Sequence, residues 1–187
     1  MPAENPLVQG CPNRPGPPNA LPMTTSGTEQ TAPVVRAPGE GTAIWHLDTL
    51  KTFKALSEET AGRLAAWEEL LPQSSSPPLH VHRNDDEAWY VLDGTLTFQV
   101  ADATWSAEAG SFVWAPRGLP HTFRVDSLTA RLLALAVPSG FDRFVRTTGR
   151  PAGGVTLPPP PDGPPDMAAL VTAAREEGIE ILGPPLA

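Results

Sequence analysis

The chain has 187 residues, a formal net charge of −8 at pH 7 and a single cysteine, Cys11. Its length suits one domain with a real hydrophobic core. The acidic balance argues against nucleic-acid binding, because a phosphate backbone would repel it. No apolar run approaches the roughly 18 residues of a membrane helix, and the amino terminus lacks the basic start and apolar stretch of a signal peptide. With no partner for an internal disulfide, Cys11 also fits the cytoplasmic location that we expect.

Residues 1–34 form the first predicted segment. They are rich in proline and contain few large apolar side chains and no periodicity, so we predict that they are disordered. Met23, within this segment, is a second candidate for the first residue of the translated protein, and the sequence alone does not decide between Met1 and Met23.

Residues 35–148 form the predicted folded domain. Between about 42 and 137 the chain consists of short segments rich in β-branched or aromatic residues and separated by turn residues: TAIWHLD, LKTFKA, LHVH, EAWYVL, TLTFQV, SFVWA, HTFRV and ARLLALAV. Closely spaced short strands with turn signals predict an all-β sandwich or barrel. The pair Asp93 and Gly94, between EAWYVL and TLTFQV, predicts a two-residue type I′ hairpin.

The segment SEETAGRLAAWEELL, residues 57–71, gives conflicting signals. Its alanines, leucines and glutamates favour a helix by intrinsic propensity. It lies between predicted strands, however, and Gly62 interrupts the run. We therefore predict that residues 63–71 form a strand of the sheet, because tertiary context often overrides propensity.

Residues 149–187 are predicted to be a Pro-rich linker followed by a helical extension. Just before it, Ser139 and Asp142 resemble a capping box that opens a short helix. After the linker, Asp166 can cap a second helix, which Gly178 would end. We expect these short helices to pack on the outside or at the mouth of the β domain.

Three histidines and one glutamate carry the predicted chemistry. His80 and His82 are two residues apart on one strand, so their side chains share a face. Glu87 begins the next strand, close enough to converge on the same point, and His121 opens a later strand after a turn. Neutral imidazoles with one carboxylate are preferred ligands of divalent first-row metals, so we predict a site for one such ion.

The spacing of these residues resembles both sequence motifs of the cupin superfamily. The first is carried by HVHRNDDEAWYVLDG, residues 80–94, and the second by GSFVWAPRGLPH, residues 110–121. The resemblance covers roughly residues 42–137 and implies a double-sheet jelly-roll barrel, in agreement with the strand pattern. Two positions differ from the motifs: Ser74 replaces the usual opening glycine, and Val125 replaces the usual closing asparagine. Neither position supplies a metal ligand in the family.

Two aromatic residues are predicted to line a substrate pocket. Trp89 shares the face of Glu87 by alternation along its strand, and Phe123 shares the face of His121. Both should point into the barrel. Filling the core is their default role, and beside a metal they would also shape a substrate pocket.

The remaining polar residues of the motif region are assigned structural roles. His46 fits neither motif and is interpreted as a surface or sheet residue, with pocket lining as the alternative. Asp85 and Asp86 are predicted to form a solvated turn, and Arg117 to be a turn residue at the barrel rim.

The resemblance also implies a function. HVHRNDDEAWYVLDGTLTF and FVWAPRGLPHTFRV are similar to small single-domain bacterial cupins described as quercetin-dioxygenase-like. This similarity implies a dioxygenase in which one divalent ion (Fe, Mn, Ni, Co, Cu or Zn) meets O2 and a small aromatic or enolic, flavonol-like substrate. Glu87 would be either the fourth ligand or a catalytic base.

Two alternatives remain open. The first is a redox-silent cyclase or isomerase in which the ion acts as a Lewis acid, and the second is a cupin that only binds a small molecule. Homodimers are common in the family, and the resemblance is the sole basis for expecting one here.

Overall fold

The computed structural model describes residues 31–161 and 163–187. Of the predicted N-terminal segment, residues 31–34 contain no helix or strand. The other 30 residues of that segment, with Cys11 and Met23, lie outside the described residues. Neither helix in the described part of the chain is long and apolar enough to cross a membrane.

The described residues form mainly β-strands. In chain order these are β1 (Thr42–His46), β2 (Thr49–Ala55), β3 (Ala65–Pro72), β4 (Pro78–His82), β5 (Asp86–Asp93), β6 (Thr95–Val100), β7 (Ala103–Glu108), β8 (Phe112–Ala115), β9 (His121–Val125), β10 (Thr129–Val137), β11 (Arg150–Pro151) and β12 (Ile179–Pro185). Two helices accompany them, α1 (Phe141–Thr148) and α2 (Met167–Glu176).

The strands form two antiparallel sheets. The larger has the order β11-β1-β2-β3-β10-β5-β8, and the smaller has the order β12-β4-β9-β6-β7. Side chains of the two sheets meet between them: the rings of Trp89 on β5 and Phe98 on β6 have centroids 5.3 Å apart. The predicted double-sheet jelly roll with short helices is confirmed. Two sheets that face each other in this way can hold side chains of both against a common interior site.

The ambiguous segment before residue 72 forms strand β3, as predicted. Ala65, Trp67, Glu69 and Leu71 are all buried on its inner face. The strand pairs with β2 on one side and β10 on the other. Two neighbouring strands supply its backbone partners, and alternation buries its large apolar side chains, so these tertiary contacts outweigh the helical propensity of the segment.

The predicted hairpin at Asp93 and Gly94 is wrong. β5 ends at Asp93 and pairs with β10 and β8, whereas β6 begins at Thr95 and pairs with β7 and β9. The chain therefore passes from one sheet to the other at this point. Gly94 has a φ of +86° and provides the sharp change of direction, but local turn chemistry did not reveal which strands would pair.

The two positions that differ from the sequence motifs contact each other. The backbone N–H of Ser74 donates to the carbonyl of Val125 at 2.9 Å. Ser74 has a φ of +64°, the left-handed conformation that favours glycine. The turn that a glycine would form is thus kept by a serine, which a hydrogen bond to β9 holds in place.

Both predicted helices exist, but the predicted cap of α1 is wrong. Gly140 occupies the N-cap position and no side chain caps the helix. The Asp142 carboxylate is fully buried and accepts hydrogen bonds from the backbone N–H of Ser57, at 2.9 Å, and from the Ser57 hydroxyl. Asp142 therefore ties α1 to the loop before β3 and is not available to complete a capping box with Ser139.

The predicted start of α2 is confirmed. The Asp166 carboxylate accepts hydrogen bonds from the backbone N–H groups of Ala168, at 3.1 Å, and Ala169, at 3.0 Å. Gly178, with a φ of +79°, follows the helix as predicted. The sequence patterns did not predict β12, which follows immediately. The segment after the linker is therefore a helix and a strand, and not a helical extension alone.

A substitution at Gly94 tests the passage between the sheets. A Cβ atom at this position would lie 2.5 Å from the carbonyl oxygen of Thr129. We expect Gly94→Ala to lower the free energy of unfolding by about 3 kcal/mol or more, measured by urea denaturation. Gly110 is the matched control, since it has a φ of +94° but no atom within 4 Å of an added Cβ. Gly110→Ala should cost only about 1 kcal/mol, and equal losses for the two variants would contradict this interpretation.

Candidate metal centre

The four predicted ligands come from both sheets. His80 and His82 lie two residues apart on β4, and His80 is the direct cross-strand partner of His121 on β9. Glu87 lies on β5 of the opposite sheet. Alternation turns both β4 histidines inward, and antiparallel pairing adds the third. The structure therefore brings together all four residues that the motif spacing singles out.

The four side chains form a tight, buried group. Each offers one ligand atom, and these atoms all lie within 4.8 Å of one another. The Glu87 Oε2 atom lies 3.2 Å from His121 Nε2 and 3.3 Å from His82 Nε2. His82, Glu87 and His121 are buried, and His80 is half-buried. This arrangement could hold a metal ion.

The three imidazoles are oriented by acceptors at their Nδ1 atoms. The Pro78 carbonyl lies 2.7 Å from Nδ1 of His80, and the Leu119 carbonyl lies 3.0 Å from Nδ1 of His121. The Asp85 carboxylate lies 2.7 Å from Nδ1 of His82. These oxygens can only accept, so each Nδ1 carries the proton and each Nε2 turns its lone pair toward the group in the neutral ring.

His82 provides the clearest sign that the group fits an ion. Its Nε2 atom is buried and has no hydrogen-bond partner among the described residues, although the Glu87 oxygen is 3.3 Å away. An unpartnered buried polar atom is costly. A divalent cation would satisfy the lone pairs of the imidazoles and the charge of the carboxylate together.

The charges within the group depend on one another. Burial alone would raise the pKa of Glu87, but the His82 imidazole, with His121 and His80, outweighs this and lowers it to about 2. Burial and the neighbouring His121 and His82 lower the pKa of His80 to about 3. Burial opposes protonation of His82, but Glu87 and then Asp85 raise its pKa above the ordinary 6.5. At neutral pH the group therefore holds an ionised Glu87 and a neutral His80, and His82 keeps its second proton to a higher pH than an ordinary imidazole does.

The structure corrects the prediction for Asp85. The sequence places Asp85 and Asp86 in a solvated turn, but Asp85 is only 2 % exposed and contacts His82. Asp86 is half-buried and pairs with the exposed Arg117, which lies in a turn as predicted. A carboxylate three residues after a candidate ligand histidine was the available signal. It went unused because acidic residues in a turn are usually solvated.

A cavity of about 450 Å³ opens beside the group. His80 and Glu87 lie in its wall, and most of the other lining side chains are apolar or aromatic. They include Leu71, Trp89, Phe123, Phe141, Phe144 and Leu170. Trp89 and Phe123 therefore line the cavity, as alternation predicted, whereas Tyr90 beside Trp89 is 43 % exposed on the outer face.

Three further polar residues lie in this cavity wall: His46, for which pocket lining was the alternative interpretation, and Lys51 and Glu69, which no sequence pattern singled out. His46 is buried and lines the cavity, its Nε2 atom 3.0 Å from the Thr148 hydroxyl oxygen. Burial and nearby Lys51 lower the pKa of His46 to about 3, so it adds no charge. Lys51 and Glu69 form a buried ion pair in the same wall. Both lie at inward positions of strands, where a charged residue is uncommon.

The comparisons with known proteins identify the class of this domain. Residues 66–138 match the family model described as a cupin domain. Quercetin 2,3-dioxygenase of Bacillus subtilis (strain 168) is 28 % identical over 126 residues, which cover 67 % of this chain and 37 % of that protein. Residues 66–138 thus match a cupin domain, and the chain spans little more than a third of the length of that curated relative.

Two solved structures resemble the fold. A predicted oxalate decarboxylase from Thermotoga maritima matches with a TM-score of 0.51 and 19 % identity, over 57 % of this chain and 99 % of that one. The polyketide cyclase RemF from Streptomyces resistomycificus matches with a TM-score of 0.44 and 26 % identity, over 54 % of this chain and 70 % of that one. The first of these similarities supports the jelly-roll architecture and nothing more specific.

Removal of the Asp85 carboxylate tests its role behind His82. We expect Asp85→Ala to weaken the binding of Ni(II) or Co(II) at pH 8 by roughly 10- to 100-fold, because His82 loses the partner that orients it. Competition with a chromogenic chelator measures this affinity. Asp86→Ala is the matched control: Asp86 contacts Arg117 and no histidine, so its affinity should equal that of the wild type. Equal affinities for all three proteins would show that Asp85 does not position His82.

The raised pKa of His82 predicts how metal affinity depends on pH. The titrating proton occupies Nε2, because Nδ1 already donates to Asp85. Below this pKa a proton competes with the ion, so affinity should rise about tenfold per pH unit. Above it the curve should level off. The same chelator competition, run between about pH 5.5 and about pH 9, gives the affinity as a function of pH. A pH-independent affinity would contradict the assignment of this proton to His82.

Proposed function

We propose that this protein is a metal-dependent dioxygenase acting on a small aromatic or enolic molecule, and that His80, His82, Glu87 and His121 hold its divalent ion. One observation carries the proposal: three imidazoles and a carboxylate converge at the wall of a largely apolar cavity. A redox-active ion held there supplies the one-electron chemistry that a reaction with O2 requires. The similarity to quercetin 2,3-dioxygenase over 126 residues supports the same reaction class.

The position of the group favours catalysis over a structural role. Four protein ligands are fewer than the six that an octahedral ion takes, and sites with room for a further ligand are typical of catalysis. His80 and Glu87 line the cavity, whereas His82 and His121 are almost completely buried behind them. A molecule in the cavity would therefore approach the group from the side of His80 and Glu87.

The walls of the cavity favour a flat, largely apolar substrate. Trp89 and Phe123 lie on one side of the group, with ring centroids 6.3 Å apart. Phe141 and Phe144 contribute two further aromatic rings, 5.9 Å apart. Aromatic side chains provide large contact areas for ring systems, and a volume of about 450 Å³ lies within the range of small-molecule sites.

Glu87 is assigned as the anionic member of the ligand set and, since it lines the cavity, as the ligand carboxylate that a bound substrate can reach. Its low pKa keeps it ionised, so it can accept a hydrogen bond or a proton from a substrate hydroxyl without first losing one. It is also the ligand that β5 contributes from the opposite sheet. Removal of its charge should therefore affect turnover more than it affects the fold.

Oxygen uptake with flavonols and other enediols tests the proposal. Protein loaded separately with Fe(II), Mn, Co, Ni or Cu should consume O2 with at least one of these ions, whereas the zinc form should not, because zinc has no accessible redox change. Glu87→Gln keeps the shape of the side chain and removes its charge. At saturating metal it should lower turnover by roughly 100-fold or more.

Glu68→Gln is the matched control, because Glu68 lies at an outward position of β3 and pairs with Arg131. It should leave turnover unchanged. Turnover that persists without O2, or that zinc supports equally well, would contradict the dioxygenase proposal and favour a Lewis-acid cyclase or isomerase. Tight binding of these compounds without turnover under any metal would identify a binding protein.

A further inference from the structure

A second polar site lies in the cavity wall, formed by Lys51 of β2 and Glu69 of β3. The two residues are direct cross-strand partners and form an ion pair. Lys51 is 6 % exposed and Glu69 is 4 % exposed, so water barely reaches either charge. Both residues nevertheless line the cavity, which makes the pair accessible to a ligand inside it.

The pair is separate from the metal-ligand group. Ala136 of β10 is aligned with Glu87 on one side and with Ala65 of β3 on the other. Glu69 is four residues beyond Ala65 on the same face of β3, which is roughly 13 Å further along the sheet. The Phe141 ring lies near both sites, with its centroid 5.6 Å from Lys51 Nζ and 6.0 Å from the ring centroid of His82.

The position of this ion pair could be filled by apolar side chains. The inward neighbours of Glu69 on β3 are Trp67 and Leu71, and apolar side chains would continue that pattern. Burial of two charges costs several kcal/mol per ion, and replacement of such a pair by packed apolar residues is often neutral or stabilising. A buried charged pair in a mostly apolar cavity wall is therefore better explained by what it binds.

The pair has hydrogen-bonding capacity left over. One oxygen of Glu69 accepts from Lys51, and the other accepts from the indole N–H of Trp67 at 3.2 Å. Among the described residues, Glu69 is the one acceptor of the Lys51 ammonium, which has three donors. The Lys51 Nζ atom also lies 5.6 Å from the ring centroid of Phe141, in the cavity wall. Trp67 thus fixes Glu69, Glu69 fixes Lys51, and ammonium donors remain unused.

We propose that Lys51 and Glu69 bind a hydroxyl group of the substrate, at the end of the molecule remote from the metal-ligand group. A hydroxyl both donates and accepts, so it can accept from Lys51 and donate to Glu69 at once. A carboxylate would be attracted by Lys51 but repelled by Glu69. The inference rests on the proposed function and narrows its substrate class to hydroxylated aromatic compounds, with one hydroxyl at each end of the cavity.

The test measures binding without turnover. Zinc-loaded protein is titrated under anaerobic conditions with quercetin, which has phenolic hydroxyls on its pendant ring, and with 3-hydroxyflavone, which has none. Quenching of tryptophan fluorescence gives the affinities, since Trp89 lines the cavity. The wild type should bind quercetin at least about tenfold more tightly, because a polar site left unpaired by the other ligand weakens its binding.

The decisive variant is Lys51→Met with Glu69→Leu. The double change avoids leaving one buried charge without its partner. It should lose the preference for quercetin while its affinity for 3-hydroxyflavone and its metal content stay at wild-type values. A second apolar pair, Lys51→Leu with Glu69→Met, is prepared as well, so that the test does not depend on one packing solution.

Lys54 and Glu68 provide the matched control. They form an ion pair on the same two strands, but they are more exposed and do not line the cavity. Lys54→Met with Glu68→Leu should keep the full preference for quercetin. Equal wild-type affinities for the two flavonols, or equal losses for both in the Lys51 and Glu69 variants, would overturn the inference.

The oxygen-uptake assay separates this result from the proposed function. A preference for quercetin that depends on Lys51 and Glu69, without O2 uptake under any metal, would refute the dioxygenase and uphold the hydroxyl site. No binding of either flavonol to the wild type would refute both.

Discussion

The Glu87 carboxylate is buried between two β-sheets, with imidazole nitrogens of His121 and His82 at 3.2 and 3.3 Å. A buried charge of this kind is tolerated only when partners compensate for its lost hydration. The partners come from β4 and β9, and the carboxylate comes from β5 in the other sheet. The separation and register of the two sheets at this point are therefore constrained by electrostatics as well as by apolar packing.

Local backbone geometry keeps these partners in place. Pro78 and Leu119, each two residues before a histidine, offer carbonyls to the Nδ1 atoms of His80 and His121. Asp85 does the same for His82 through its side chain. Each ring is thereby fixed by a residue at most three positions away in sequence, so the orientation of each imidazole is set locally, whereas the pairing of the strands brings the rings together.

Much of the site could be predicted from the sequence, because its signals are local. His80 and His82 share a face through strand alternation alone, and the two motifs fix the spacing of Glu87 and His121. Short strands separated by turns predicted an all-β sandwich or barrel, and the resemblance to the cupin motifs implied the jelly roll. Trp89 and Phe123 were placed in the cavity by the same alternation, and the structure puts them there.

The errors arose where long-range contacts decide the outcome. Asp93 and Gly94 have the composition of a hairpin, but the strands on either side pair in different sheets. In the sequence Asp85 resembles a solvated turn residue, and only the structure shows its contact with His82. The strand β7 was not among the predicted strands, because its side chains are mostly exposed and show no clear alternation of burial. Lys51 and Glu69 contradict the apolar pattern of inward positions, and only the pairing of β2 with β3 reveals that they are partners.

The C-terminal strand β12 connects the cavity to the ligand-bearing strand β4. Ile179 pairs with His82 and Ile181 pairs with His80, and the side chains of both isoleucines line the cavity. Detachment of β12 would thus remove a wall of the cavity and one hydrogen-bonded neighbour of β4 in the same event. Any molecule that gains binding energy from these two isoleucines suppresses that detachment by the same free energy. Protection of the β12 amides from hydrogen exchange is therefore a direct gauge of how fully the cavity is occupied.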